Sequence, residues 1–349
     1  MLEIERIKKQ VLRYLAKKPA SFWELINYQD SHIVNFLSAL KELLNSGQVL
    51  YEKPYFKISP NSTKQEVYHP PGCLFCQPFK EDPFWSQLLL DFKRLIQNRP
   101  LPTSDFDQGF IRPEDTLKRV AFIYERGDLE ETEIFILGDD DLLSLAIALT
   151  GLPKRIVVVE IDQRINEFIA KKMEEIGFKK VEIHSYNVIE ALPQAFHKSF
   201  DVFVTDPVET QKGLKLFVSR CISALKGEGS TGYIGFTHRE ASLQKWRDFQ
   251  SFMLNSGFVI TDILRDFTIY PEEDNSWEDF YRTYRIMKEF DLELPDTDWY
   301  KSCFLRFEVV EGPYLLEIPI PADFEELYFD DEAWATPLPS YLEKKQQEA

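Results

Sequence analysis

The chain has 349 residues, of which 44% are apolar and 14% aromatic, a globular composition that is long enough for two domains. Acidic residues outnumber basic ones by 58 to 41, and the net charge of −17 disfavours general nucleic-acid binding. The acidity suits a cationic ligand, or it reflects solubility alone. We find no signal peptide and no apolar run that could span a bilayer, so we expect a cytoplasmic protein without a membrane partner.

Residues 1–60 are predicted to form a winged-helix-like domain. Three amphipathic helices precede a hairpin around Pro54; the segments are 4–16, 21–25, 31–46, 49–53 and 55–58. The third helix has Asp30 at its start and then only Lys41 and Glu42, so it lacks the basic stripe of a DNA-recognition helix. We expect a structural or dimerising role, with DNA reading as the alternative.

Residues 61–104 are predicted to be a linker and a connecting helix. Cys73 and Cys76 have the spacing of zinc ligands, but a closed structural site needs four ligands. Cys221 and Cys303 stand alone in the sequence, so His69 or a partner subunit would have to complete the site. The alternative is that they are ordinary thiols, and we predict no metal.

A loop at 105–110 places carboxylates beside aromatic rings. Asp105 and Asp107 alternate with Phe106, and Phe110 follows. An aromatic face next to a carboxylate attracts an amine through charge and cation–π interaction. The alternative is that the two phenylalanines belong to the core.

The segment 133–162 has the pattern strand, turn, helix, strand, which predicts a parallel sheet. Ligands of such sheets bind at the carboxyl ends of the strands. Five acids are predicted there: Asp139, Asp140, Asp141, Glu160 and Asp162. Three successive aspartates would repel a pyrophosphate, so the expected ligand is cationic. Helix capping is the structural alternative for the aspartates.

The alternation of strands and helices continues to about residue 236 and predicts an α/β fold with a doubly wound, mostly parallel sheet. Asn187, Asp206 and Glu209 follow later strands, as do residues 237–240. We predict a catalytic domain over 105–311. An acidic tail over 312–349 follows, and its segment 323–331 is a candidate lid over a bound ligand.

Several of these motifs carry a family resemblance. The order of acids at the strand ends resembles the order found in the Rossmann-like fold of S-adenosylmethionine methyltransferases and aminopropyltransferases. Four segments are similar to the branched-chain polyamine synthases of thermophiles: 138–142 (GDDDL), 151–155 (GLPKR), 205–210 (TDPVET) and 239–246 (REASLQKW). The resemblance covers nearly the whole chain, including the winged-helix-like start.

The resemblance implies transfer of aminopropyl groups from decarboxylated S-adenosylmethionine to the N4 secondary amine of spermidine. N4-aminopropylspermidine, N4-bis(aminopropyl)spermidine and methylthioadenosine would be the products. It implies a co-substrate rather than a prosthetic group, and a small-molecule polyamine rather than nucleic acid as partner. We also expect a homodimer through the N-terminal unit.

The resemblance also assigns site residues. Asp140 would orient and deprotonate the spermidine amine. Ammonium groups would be held by Asp139, Asp141, Asp206 and Glu209, with Asp105 and Asp107 also in the substrate site. Glu160 stands where relatives hold the ribose, and Asn187 where an aspartate usually meets the adenine amino group. Gly138 and Asp162 complete the predicted donor site.

Two other functions are compatible with the sequence. A methyltransferase would share the fold, and Asp206-Pro207 is similar to the start of the Asp-Pro-Pro-Tyr motif of amino-group methylases. However, Val208 and Glu209 replace the proline and the aromatic residue that would stack on a base. A polyamine-sensing transcription regulator would instead read DNA with its winged helix, and it predicts salt-sensitive duplex binding.

Overall fold

The computed structural model of the chain describes residues 2–28, 33–60, 62, 82–272, 278–285, 287, 298 and 300–341. The chain divides into two compact units, Met1–Leu88 with Val120–Glu130, and Leu89–Arg119 with Glu131–Ala349. Cys73 and Cys76 lie outside the described residues. Within the described ranges, no helix is long and apolar enough to cross a membrane.

The first unit contains the three helices and the hairpin expected in residues 1–60. Its elements are α1 Leu2–Lys17, β1 Ala20–Ser21, α2 Phe22–Tyr28, α3 Ile33–Asn45, β2 Val49–Glu52 and β3 Tyr55–Ile58. Ile7, Val11 and Leu15 repeat every four residues on one face of α1 and are buried against Phe36 and Leu40 of α3. The strands form an antiparallel sheet in the order β1-β3-β2. β1 was not predicted because two residues are too short for a pattern.

The second unit is built on a seven-stranded sheet with the order β6-β5-β4-β7-β8-β10-β9. The strands are β4 Glu133–Leu137, β5 Arg155–Glu160, β6 Val181–Ser185, β7 Val202–Thr205, β8 Thr231–Thr237, β9 Phe258–Ile269 and β10 Lys301–Val309. The first five in chain order pair in parallel, and the last two are antiparallel. The predicted α/β fold with a mostly parallel sheet is therefore confirmed.

Helices precede, connect and follow these strands. They are α4 Pro83–Leu95, α5 Pro113–Glu125, α6 Leu143–Thr150, α7 Gln163–Glu175, α8 Gln211–Ala224, α9 Leu243–Asn255, α10 Glu278–Tyr281 and α11 Phe324–Tyr328. The central strands bury nearly every side chain, as expected for parallel strands, and Phe135, Val157 and Phe203 lie in the main core. α9 begins at Leu243, because the Ser242 side chain caps it by accepting from the Lys245 N–H.

The strand directions bring distant segments to one edge of the sheet. β4, β5, β7 and β8 are parallel, so all four end at this carboxyl edge. β10 runs the other way and begins there, because Ser302 pairs with Thr237 at the end of β8. β9 ends there as well, because Ile269 pairs with Lys301. Tyr270, which follows β9, and Tyr300, which precedes β10, therefore lie beside the acids that follow the parallel strands.

Candidate active site

A cavity of about 1300 Å³, counting its open mouth, lies at the carboxyl edge and is lined by residues of the second unit alone. Its acidic lining consists of Asp107, Asp140, Glu160, Asp206, Glu209, Glu240 and Glu272. Its tyrosines are Tyr186, Tyr270, Tyr281, Tyr284, Tyr300 and Tyr328. Among the residues that the structure describes, no lysine, arginine or histidine lines this cavity. Such a lining favours a cationic ligand with apolar segments.

The turn after β4 directs Asp140 into the cavity. Gly138 and Leu142, at the two ends of the turn, have positive φ values of 76° and 56°. The Asp140 carboxylate accepts a hydrogen bond of 3.0 Å from the Gly109 N–H, and its carbonyl accepts one from the Arg99 guanidinium. Arg99 in turn lies over the Phe110 ring, 4.3 Å from its centroid. Asp140 is thus held in place from outside the turn.

Asp139 is buried and caps the helix after the turn. Its carboxylate accepts from the Ser144 N–H at 3.2 and 3.3 Å, while its own N–H donates to Glu160 at 2.9 Å. The other oxygen of Glu160 accepts from the Asp162 N–H at 2.8 Å. Helix capping, the structural alternative for the three aspartates, thus describes Asp139. Its partner Glu160 also lines the cavity.

Asp141 and Asp206 share one buried guanidinium. Arg119 of α5 donates to Asp141 at 3.2 Å and to both oxygens of Asp206, one of them at 3.1 Å. Its own side chain is fully buried, and it also donates to Thr268 at 3.2 Å. Gly235 of β8 leaves the space that Asp206 occupies, since a Cβ there would lie 1.4 Å from Asp206 Oδ1. Asp206 is therefore fixed at the cavity wall with its charge opposed by Arg119.

Three further predicted residues have partners elsewhere, and none of them lines the cavity. Asp162 caps α7 by accepting from the Arg164 N–H at 2.9 Å, and it also accepts from Gln108. The Asn187 side chain accepts from the Ile189 N–H at 3.0 Å. Asp105 accepts from the Ser340 N–H at 2.8 Å. Of the predicted site residues, the structure thus brings six together in the cavity lining: Asp107, Gly138, Asp140, Glu160, Asp206 and Glu209. The other predicted residues are not part of this lining.

Burial and mutual repulsion raise the pKa values of the cavity acids. Burial, followed by the charges of Glu160 and Asp206, raises the pKa of Asp140 to about 7, although Arg99 opposes the change. The pKa values of Asp107 and Glu209 are raised well above their usual range, first by burial and then by Glu240. Several acids that disfavour one another's ionisation form a site in which a cation relieves the repulsion.

Two groups of the site were not assigned from the sequence. Glu240 belongs to a polar strand end that was recognised, but its role appears only in the contacts of its carboxylate, which accepts from the Tyr300 hydroxyl at 2.8 Å and the Ala335 N–H at 2.8 Å. Arg119 gave no signal, since one arginine in an amphipathic helix is ordinary. Its partners Asp141 and Asp206 are distant in sequence.

The C-terminal segment completes the cavity wall. Phe324, Leu327 and Tyr328 of α11 line it, and Thr210 donates to the Leu327 carbonyl at 2.5 Å. Past the helix, Lys245 donates to Asp330 at 2.9 Å. Residues 323–331, the candidate lid, thus lie against the acidic site in this structure.

The mostly parallel sheet and the cavity at its strand ends define an α/β protein with a site lined by carboxylates. The sequence model of the branched-chain polyamine synthase A C-terminal domain matches residues 87–335. The chain therefore belongs to the branched-chain polyamine synthase family.

Individual relatives agree with this assignment. An N(4)-bis(aminopropyl)spermidine synthase of Thermococcus kodakarensis is 39% identical over 329 residues, which cover 90% of each chain. One of Methanocaldococcus jannaschii is 40% identical over 258 residues, 72% of this chain and 71% of the relative. The branched-chain polyamine synthase from Thermus thermophilus, solved in complex with N4-aminopropylspermidine and 5′-methylthioadenosine, gives a TM-score of 0.67 at 33% identity, covering 95% of this chain and 92% of that one.

Proposed function

We propose that this chain transfers aminopropyl groups from decarboxylated S-adenosylmethionine to N4 of spermidine. The products are N4-aminopropylspermidine, then N4-bis(aminopropyl)spermidine, with methylthioadenosine released at each step. The observation that carries the proposal is the cavity lined by carboxylates and tyrosines in a member of this family. The proposal needs no prosthetic group, because the donor is itself the co-substrate.

The reaction is a substitution at carbon. The lone pair of the N4 amine attacks the propyl carbon beside the donor's sulfonium, the carbon–sulfur bond breaks, and its electron pair leaves the sulfur as a neutral thioether. An amine that arrives as an ammonium must lose its proton first, so each transfer releases one proton. In this proposal Asp140 orients N4 and accepts that proton, and the cavity holds donor and acceptor in line.

The remaining acids are proposed to bind the two substrates. Asp107 and Glu209 hold ammonium groups of the polyamine, and Asp206 does so while Arg119 limits its charge. Glu160 binds the ribose hydroxyls of the donor beside Gly138. Asp139 and Asp141 fix the turn that carries Asp140, so their effect on the substrate is indirect. Roles for Asp105, Asp162 and Asn187 in direct ligand contact stay predictions.

The test is to incubate the purified protein with decarboxylated S-adenosylmethionine and spermidine, and to follow methylthioadenosine and the polyamine masses. We expect products heavier by one and then two aminopropyl units. Intact S-adenosylmethionine is the control donor. Methyl transfer from it, without aminopropyl transfer from the decarboxylated donor, would replace the proposal with a methyltransferase.

The domain boundaries are proposed as 1–60, 61–104, 105–311 and 312–349, with residues 323–331 as a lid. Leu327 and Tyr328 line the cavity, which supports a role for the tail in holding the acceptor. Ending the chain before Asp323 is expected to raise the KM for spermidine, because part of the cavity wall is lost. Steady-state kinetics measure this effect, and an unchanged KM would reject the lid.

Residues 1–60 are proposed to form a winged-helix domain that makes a homodimer and does not read DNA. Its helix, strand and hairpin order supports the fold, and α3 carries Lys41 as its one basic residue. A recognition helix normally needs more positive charge to neutralise phosphates. Sedimentation of the full chain tests the assembly, and a monomer at micromolar concentration would reject it.

A further inference from the structure

Two tyrosine rings form a fixed wall of the cavity. Tyr270 directly follows β9 and Tyr300 directly precedes β10, and the Tyr270 N–H donates to the Tyr300 carbonyl at 3.1 Å. Their ring centroids lie 5.1 Å apart with the planes at 88°. The wall is rigid because the end of the β9–β10 ladder holds both backbones. It faces the same cavity as Asp140 and Asp206.

The proposed reaction makes two chemically different cations, and the inference below rests on that reaction. After the first transfer N4 is a tertiary amine, and its protonated form still has one N–H that a carboxylate can accept. In the second transfer its lone pair attacks a second propyl carbon, the carbon–sulfur bond breaks, and sulfur keeps the electron pair. N4 then carries four carbons and a permanent charge, and it donates no hydrogen bond. Aromatic faces suit such a cation.

The Tyr300 hydroxyl is engaged with a carboxylate, which leaves the ring of Tyr300 for this task. The Tyr300 hydroxyl donates to Glu240 at 2.8 Å. Burial, followed by nearby carboxylates, raises the pKa values of both phenols, so both rings stay neutral at the pH of the reaction. Asp206 and Glu209 are among those carboxylates and line the same cavity as the rings.

We propose that the Tyr270–Tyr300 pair stabilises the quaternary nitrogen of the second transfer and so determines whether the chain proceeds beyond the tertiary product. The pair acts on N4 through its ring faces. The first transfer depends on it less, because the tertiary ammonium retains its hydrogen bond to a carboxylate. The two rings are thus specificity-determining for the number of groups added.

The experiment measures the two transfers separately, with spermidine as acceptor for the first and N4-aminopropylspermidine for the second. Tyr270→Leu and Tyr300→Leu are each expected to lower kcat/KM for the second transfer about tenfold more than for the first, the size of a desolvated cation–π contact. Tyr270→Phe and Tyr300→Phe are the matched controls. They keep the ring and remove the hydroxyl, and their ratio of second to first transfer is expected to stay within about twofold of the unaltered protein.

Three results would overturn the inference. The Leu variants could slow both transfers equally, the Phe variants could match the Leu variants, or the unaltered protein could stop at the tertiary product. A binding measurement separates this failure from failure of the proposed function. Calorimetry with N4-bis(aminopropyl)spermidine should show affinity about tenfold weaker for Tyr270→Leu than for Tyr270→Phe, even if no methylthioadenosine is formed. Equal affinities of Tyr270→Leu and Tyr270→Phe would contradict the proposed role of the tyrosine pair.

Discussion

Replacing Asp140→Asn is expected to lower kcat/KM for aminopropyl transfer to spermidine by about 10²- to 10³-fold, as for the loss of a positioned general base. The same change is expected to raise the melting temperature of the ligand-free protein by roughly 2–5 °C. An asparagine still accepts from the Gly109 N–H, so the turn is retained. What disappears is a carboxylate whose ionisation is opposed by burial and by Glu160 and Asp206.

The sign of the stability effect follows from linkage. The folded-state pKa of Asp140, about 7, lies above the ordinary 3.8, so the folded protein holds its proton over a wider pH range than the unfolded chain. The cost of ionising it grows from about pH 4 and is fully present above about pH 7. The stabilisation by Asp140→Asn should therefore grow over that range. Calorimetry at pH 5 and pH 8 measures it, with the exposed Glu174→Gln as control.

The pH dependence of the reaction tests the same group. In the unaltered protein kcat/KM for spermidine should rise with pH through about 7, as Asp140 ionises in the free enzyme. Glu160 and Asp206 raise this pKa, and Arg99 lowers it, so Arg99→Gln should move the rise to higher pH. In Asp140→Asn the rise near 7 should be absent. A rise of kcat/KM near pH 7 that persists in Asp140→Asn, or a lower melting temperature for this variant, would contradict the role of Asp140 as the base.

The sequence predicts the sheet well because its central strands bury both faces. Segments such as 133–137 and 202–205 are almost continuously apolar, and few other structures suit so short a run. The parallel order then places the acids that follow each strand at one edge, so the strand ends alone indicate the site. Helix ends are harder to predict. The start of α9 depends on a single cap by Ser242.

The different roles of neighbouring residues within the site could not be predicted from the sequence. Asp139, Asp140 and Asp141 are adjacent and chemically identical, yet the turn between Gly138 and Leu142 sends one to a helix N-terminus, one to the cavity and one towards Arg119. Such directions depend on local φ values. The tyrosine wall depends on the β9–β10 register, which contains two irregularities and joins residues 30 positions apart, Tyr270 and Tyr300.

Replacing Arg119→Met is expected to destabilise the protein by about 3–5 kcal/mol, the usual cost of leaving buried charge without its partner. Arg119 is fully buried, and its loss leaves the carboxylates of Asp141 and Asp206 facing each other without a cation. Arg119→Lys should give an intermediate loss, because a single ammonium cannot span both acids as the guanidinium does. Denaturant unfolding measures the loss, and the exposed Arg247→Met is the control, with an expected change within about 0.5 kcal/mol.

The charge explanation can be separated from lost packing against Phe304, whose ring lies 4.8 Å from the guanidinium carbon. Adding Asp141→Asn and Asp206→Asn to Arg119→Met removes the uncompensated charge and should recover most of the lost stability. Acidification should also reduce the loss of stability in Arg119→Met. Burial raises the pKa of Asp141 even beside Arg119, so without the arginine this acid stays protonated to still higher pH, and the deficit of Arg119→Met should shrink as the pH falls. A deficit that is independent of pH and is not recovered in the triple variant would assign Arg119 to packing, and the fixed position of Asp206 would then need another cause.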